Sequence, residues 1–311
     1  MSNISKNSKI YIAGHKGMVG SACWRLFEKE GYNNLIGRSS KELDLRNQNE
    51  VKNFFEKEKP EVVIDAAAKV GGIWANNEYP YEFLMNNMLI QNNIVQFSLS
   101  NNVKKLIFLG SSCIYPKNAP QPIKEDHLLT SSLEETNQWY SIAKITGVKL
   151  IESIRKQYGL DYVALMPTNL YGPGDNYDLK TSHAFPAIIR KIHDAKENDV
   201  NVTLWGSGKP LREFLHVDDL ATAVLYFCNT TMNDFLYNVG SGEEISIKNL
   251  AKLIAKKIGF KNQILWDDSY PDGTPRKLLD SSKIRNLGWK SKIKIEEGII
   301  NTYNDYLKIK F

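Results

Sequence analysis

Across residues 1–170 short apolar runs suited to strands alternate with longer segments of helical periodicity, a rhythm that few folds accommodate. The strand candidates are "KIYIAG", "NLIGRS", "EVVIDAA", "KKLIFLGS" and "DYVALMPTN"; the helix candidates between them are Met18–Glu30, Gln48–Glu58, Tyr81–Asn101 and Asn137–Tyr158. Successive strand–helix units in this order predict an α/β fold, a doubly wound parallel sheet with crossover helices on both faces. Beyond "YGPGDN", Tyr171–Asn176, helices mix with short strands ("VTLWG", "FLYNVG", "QILWD") and turn-rich links such as "SYPDGTPRK". This predicts a smaller α/β substrate-binding lobe over residues 171–311, with chain crossings between the two parts. The sequence holds no internal repeat and no low-complexity tract.

The turn from the first strand into the first helix, "YIAGHKGMVGSA", carries Gly14, Gly17 and Gly20. Glycines there let the backbone approach a pyrophosphate, whose charge the helix N-terminus favours through its free N–H groups and dipole. Lys16, Met18 and Val19 lie in the same turn, so a Rossmann-type dinucleotide site is expected. The second strand candidate is followed by "GRSSKEL" rather than by an acidic residue for the ribose hydroxyls. Arg38, with Lys16 or Lys41 nearby, suits a 2′-phosphate, so the expected cofactor is NADP.

Composition narrows the partners. With 311 residues, 42% hydrophobic and 24% charged, the chain can bury a large core and is not disordered. It opens on no long apolar segment, and no run of about 18 apolar residues occurs. A cytoplasmic enzyme without membrane contact is therefore expected. Three cysteines, Cys23, Cys113 and Cys228, fit neither a disulfide framework nor a zinc site, and no metal is expected. The net charge of +5 comes from dispersed lysines, which suits a small anionic ligand better than nucleic acid. Cys23 and Cys228 fall at apolar positions of predicted helices and read as core.

Two further segments carry chemistry. "GSSCIYP" places serines and a thiol, Cys113, directly after the fourth strand, where a hydroxyl can polarise a substrate oxygen. "NQWYSIAKITG" places Tyr140 and Lys144 four apart on one helix face, where an ammonium can draw the phenol pKa down from about 10 toward neutrality. Alone, that spacing is a frequent accident of amphipathic helices.

Glycine turn, serine-bearing fourth strand and YxxxK helix occur in the order of the extended short-chain dehydrogenases/reductases, which the chain resembles over nearly its whole length. Counting back four from Tyr115, Ser111 matches that family's catalytic serine. "MPTNLYGPGDN" is similar to its segment around the nicotinamide and implicates Pro167, Asn169 and Leu170. "LREFLHVDD" is similar to its substrate-lobe signature, in which Arg212 would contact a nucleotide-sugar diphosphate. The resemblance assigns Lys191, Trp205, Asp272 and Lys277 to the same substrate; Arg276 also suits phosphate. Lys191 stands where relatives often carry arginine, a point charge in place of a bidentate fork.

The two positions after the serine separate members of the family. Dehydratases carry Asp and Glu there, whereas this chain has Ser112 and Cys113, which argues against water elimination. The motifs resemble members that act on a GDP-linked 4-keto-6-deoxy-mannose. A ketone at carbon 4 acidifies the protons on carbons 3 and 5, because either enolate places its charge on one oxygen that Ser111 and Tyr140 can hold, with Lys144 supplying charge. By resemblance, Cys113 acts as base and His183, in "TSHAFP", as acid, with His183 also touching the cofactor. NADPH-dependent reduction at carbon 4 would then follow. The alternatives are a plain carbon-4 reductase of a related sugar such as a GDP-keto-heptose and, from another class, a non-catalytic dinucleotide-binding or RNA-binding relative. The family also implies a homodimer through the helices at Tyr81–Asn101 and Asn137–Tyr158.

Overall fold

A computed structural model describes residues 4–270 and 272–309. The first three residues of the opening segment and Pro271 of the turn-rich link lie outside the described residues. In chain order the elements begin β1 (Ile10–Ala13), α1 (Met18–Lys29), β2 (Leu35–Ile36), α2 (Gln48–Glu58), β3 (Val62–Asp65), α3 (Ile73–Glu78) and α4 (Pro80–Ser100). They continue with β4 (Lys105–Leu109), α5 (Gln138–Tyr158), β5 (Asp161–Pro167), β6 (Asn169–Tyr171), α6 (Ala184–Glu197), β7 (Val202–Trp205) and β8 (Leu211–His216). The remainder are α7 (Val217–Cys228), β9 (Leu236–Val239), β10 (Glu244–Ser246), α8 (Ile247–Ile258), β11 (Ile264–Asp267), β12 (Arg276–Lys277), α9 (Ser282–Asn286) and α10 (Ile295–Tyr306).

Six parallel strands form the Rossmann sheet in the order β2-β1-β3-β4-β5-β9. Its strands are buried on both faces, as parallel sheets under helices must be. Tyr11, Val63, Leu106 and Phe108 face α2, α4 and α5. Ile10, Ile12, Val62, Ile64 and Ile107 face α1 and α7. Local chemistry sets the helix ends: Asn47 caps α2 by accepting from the Asn49 and Glu50 N–H groups, Pro80 opens α4, and left-handed Gly159 (φ 68°) closes α5.

The second half returns to the first. The strand "FLYNVG", grouped by sequence with the lobe, is β9, the sixth strand of the main sheet beside β5. Helix α7 packs against α1, and Cys23 and Cys228 are both buried, free thiols in that layer. A third core, built from Tyr171, Phe185, Ile189, Phe214, Leu250, Ile254 and Ile299, joins α6, β8, α8 and α10. There β8 pairs with β6, β10 and β12, and β7 pairs with β11. Among the described residues no helix is long and apolar enough to cross a membrane.

Candidate active site

The glycine turn sits where the sheet reverses direction, between β1 and β3, the place at which open α/β sheets bind ligands. Gly14 has φ +75°, and a Cβ there would lie 2.7 Å from the Ala66 carbonyl oxygen. A Cβ on Gly20 would lie 2.1 Å from the Gly14 carbonyl oxygen, so α1 can close onto the turn only through glycine. Gly17 caps α1 without a side chain, and the first turn, entered through Met18 and Val19, holds no acidic residue. Bare N–H groups and a cradle that side chains would fill fit a pyrophosphate. Gly20→Ala is expected to cost about 3 kcal/mol of stability and to weaken NADPH binding. Thermal unfolding with and without NADPH checks both.

Arg38 follows β2 as the sequence places it, but it is not a bare charge. Its guanidinium donates to Glu58 Oε1 (2.9 Å) and to the Gly37 carbonyl (2.9 Å). Lys16 and Lys41 are exposed beside this strand end. Ser39 gives both its N–H (2.7 Å) and its hydroxyl (2.6 Å) to Glu42, whose carboxyl is held below its usual range by those bonds.

The catalytic candidates converge at the carboxyl ends of β4 and β5. Gly110 lets β4 end against Met166, since a Cβ there would meet the Met166 methyl at 2.1 Å. Ser111 then caps a single helical turn, Ser112–Ile114, by accepting from the Cys113 N–H at 3.2 Å. The first turns of α5 bring Tyr140 and Lys144 to the same place. Lys144 is buried, with Nζ donating to the Leu109 carbonyl (2.8 Å) and lying 4.7 Å from the Phe108 ring centre. Burial lowers its pKa to about 8 against an upward pull from Asp65. Pro167, Asn169 and Leu170 follow on β5 and β6, with the Asn169 amide donating to the Glu213 carbonyl at 2.8 Å.

Tyr140 departs from expectation. Burial, and then Cys113, push its phenol pKa well above 10, while a hydrogen bond with Ser111 pulls it down. Lys144, bound to the Leu109 carbonyl and 6.0 Å from the ring centre, does not offset that rise. The phenol is therefore a proton donor throughout the neutral range.

Cys113 is partly exposed and carries two donors, Asn137 Nδ2 and Lys277 Nζ, each 3.5 Å from Sγ. Its carbonyl accepts from Ser141 at 2.8 Å, which ties the thiol's turn to α5. Lys277 arrives because β12 pairs with β8, opposite Arg212, and because buried Glu213 accepts from the Leu279 N–H at 3.0 Å. Sequence reasoning did not find Asn137 as a thiol partner; its position at the N-cap of α5 hides a contact with a loop 24 residues away.

His183 precedes α6 and makes no cap hydrogen bond with its side chain. Its loop is held by the Gly72 N–H donating to the Thr181 carbonyl at 2.9 Å. The ring is open to solvent, yet protein crowds it closely enough that desolvation, and then the Lys277 charge, lower its pKa. Lys277 thus donates to the thiol and acts by its charge on the imidazole.

Further out, Lys191 Nζ lies 4.2 Å from the Trp205 ring centre, and Trp205 stacks on Tyr270 at 4.4 Å with a 10° interplanar angle. Asp272 accepts from the Ser207 N–H (2.9 Å) and hydroxyl (2.5 Å). Arg212 is half-buried; burial lowers its pKa while Asp272 and Cys113 raise it, and its Nη1 donates to the Leu211 carbonyl at 2.8 Å. Arg276 is committed to Glu244, with Nε 2.8 Å from Oε2, whereas Lys277 has its Nζ on the Cys113 sulfur. Among the described residues no group of three or more His, Cys, Asp or Glu could hold a metal ion.

A phenol, a hydroxyl and an ammonium beside a dinucleotide-type glycine turn equip an enzyme to move hydride and proton at one carbonyl carbon. The chain belongs to the NAD dependent epimerase/dehydratase family, whose model matches residues 10–240. It is 52% identical over 304 residues to GDP-L-fucose synthase 1 of Arabidopsis thaliana, covering 97% of this chain and 94% of that one. Among solved structures, a GDP-6-OMe-4-keto-L-xylo-heptose reductase from C. jejuni aligns with a TM-score of 0.92, 36% identity and 99% coverage of both chains. A GDP-L-fucose synthetase from Naegleria fowleri bound to NADP aligns with a TM-score of 0.91 and 28% identity, covering 98% of this chain and 94% of that one.

Proposed function

We propose that this chain binds NADPH and GDP-4-keto-6-deoxy-D-mannose, epimerises the sugar at carbons 3 and 5, and reduces carbon 4 to give GDP-L-fucose. The observation that carries this reading is a thiol at the end of β4 that shares its site with Ser111 and Tyr140 and holds Lys277 on its sulfur. A plain reductase needs the hydroxyl, phenol and ammonium; it has no use for a thiol.

Ser111 and Tyr140 donate to the carbon-4 oxygen and hold the charge that develops there when a proton leaves carbon 3 or 5. Cys113 takes that proton, and His183 returns one to the opposite face. The lowered pKa of His183 makes its imidazolium ready to give up a proton. Bound NADPH would be the source of hydride for carbon 4. Tyr140 then protonates the oxygen, and Lys144 keeps positive charge beneath it. Gly14, Gly17 and Gly20 seat the pyrophosphate, and Arg38 with Lys16 and Lys41 favours the 2′-phosphate. Lys191, Trp205, Arg212, Asp272 and Lys277 form the GDP-sugar side of the cleft in the lobe over residues 171–311.

The enzyme acts as a cytoplasmic homodimer. Tyr81, Met85 and Leu89 on α4 and Trp139 and Ile142 on α5 are exposed apolar side chains that a second copy would cover. A second reading, a carbon-4 reductase of a GDP-keto-heptose without epimerisation, is favoured by the likeness to the C. jejuni reductase.

Incubation with NADPH and GDP-4-keto-6-deoxy-D-mannose in deuterated water, followed by NMR of the product, decides between them. Deuterium at both carbons 3 and 5 of GDP-L-fucose is the expected result. A reduced sugar protonated at both carbons with retained configuration would make the protein a plain reductase.

A further inference from the structure

The reaction above leaves one buried carboxylate without a role. Asp65 ends β3, is completely inaccessible, and uses one oxygen only to accept from the Ala67 N–H at 3.3 Å. The other, Oδ2, has no hydrogen-bond partner among the described residues. An isolated carboxylate is costly to bury unless a charge compensates it.

Strand alternation shows which charge that is. Val62 and Ile64 face α1 and α7, while Val63 faces α2, α4 and α5, so Asp65 shares the second face with Val63. Its register partner on β4 is Phe108, on that same face. The Phe108 ring lies under Lys144 Nζ at 4.7 Å. Carboxylate and ammonium are thus both buried on this face, next to Phe108, and close enough that each shifts the other's titration.

We infer that Asp65 is the counter-charge that keeps Lys144 an ammonium, and so is a positioning residue for carbon-4 reduction. This rests on the reductase reading above. The other groups facing the pair are few. From β1 comes the Tyr11 hydroxyl, buried, without a hydrogen-bond partner among the described residues, and raised in pKa by burial and by Asp65. Arg38 opposes that effect on Tyr11 from beyond β2. Gln91 on α4 donates to the Ala143 carbonyl at 2.6 Å, and Tyr140 lies four residues before Lys144 on α5. None of these carries a charge able to replace the carboxylate beside the ammonium.

Burial raises Asp65 to about 6, against the pull of Lys144, and lowers Lys144 to about 8. Both are charged between those values. Removing the carboxylate withdraws its upward pull on Lys144, so the lysine pKa falls further, and a function that needs the ammonium is lost at lower pH as pH rises.

The test is Asp65→Asn, followed by NMR titration of the Lys144 Nζ in the 15N-lysine-labelled protein, with Lys144→Met used to assign the signal. The expected midpoint falls by about one pH unit relative to wild type. The alkaline limb of the reduction-rate profile moves down with it, while rates below that limb stay closer to wild type. An unchanged midpoint overturns the counter-charge. A shifted midpoint with an unmoved rate profile overturns the positioning role. If the protein reduces no GDP-keto sugar, the NMR arm still decides the counter-charge, so the two readings fail separately. Should the Asn variant unfold, Asp65→Ser, which leaves room for water, replaces it.

Discussion

Tyr140→Phe reduces carbon-4 reduction by a factor on the order of 10³, measured as NADPH consumption with the 4-keto sugar, while NADPH binding persists. The phenol sits at the end of β4 with a hydrogen bond to Ser111, and its high pKa keeps the proton in place until the oxygen needs it. Deleting the hydroxyl removes the proton donor from reduction altogether. Proton exchange at carbons 3 and 5 needs only stabilisation of the oxygen, and Ser111 remains, so exchange falls less, on the order of 10². Because the phenol titrates above 10, it produces no alkaline limb in the neutral range; a limb near pH 8 belongs to Lys144. NADPH consumption by the variant at the wild-type rate would remove Tyr140 from the mechanism.

Cys113→Ser has the opposite selectivity. A serine hydroxyl keeps the size and the donors from Asn137 and Lys277, but it does not ionise near neutrality, so it cannot take a carbon-bound proton. Deuterium incorporation at carbons 3 and 5 drops by a factor on the order of 10³, while the machinery for hydride acceptance at carbon 4, built from Ser111, Tyr140 and Lys144, stays intact. The sugar that emerges is reduced without inversion, or turnover stalls at the ketone with NADPH unspent. Wild-type deuterium uptake in this variant would remove the thiol from proton transfer and assign the exchange to another base.

Much of the architecture is legible locally. The helix read as Gln48–Glu58 forms between those residues, and the one read as Asn137–Tyr158 forms as Gln138–Tyr158, because caps and Gly159 punctuate the chain where periodicity ends. The glycine turn is legible too, since only glycine tolerates the backbone approach of Gly14 to Ala66 and of Gly20 to Gly14. "FLYNVG" was not legible as a strand of the main sheet: its pairing with β5 joins residues about 70 apart, and nothing in a six-residue apolar run names its neighbour.

The site divides along the same line. Tyr140 and Lys144 share a helix face, and Ser111 and Cys113 share a turn, so the members of each pair are neighbours by sequence alone. Only the tertiary structure decided that Lys277 reaches the thiol, that Arg276 is neutralised by Glu244, and that Asp65 is buried close enough to Lys144 to act on its charge. It also decided that the phenol pKa rises rather than falls. These are consequences of desolvation and of contacts between distant segments: a charge's effect depends on what excludes water around it, and that is a property of the packed fold rather than of spacing along the chain.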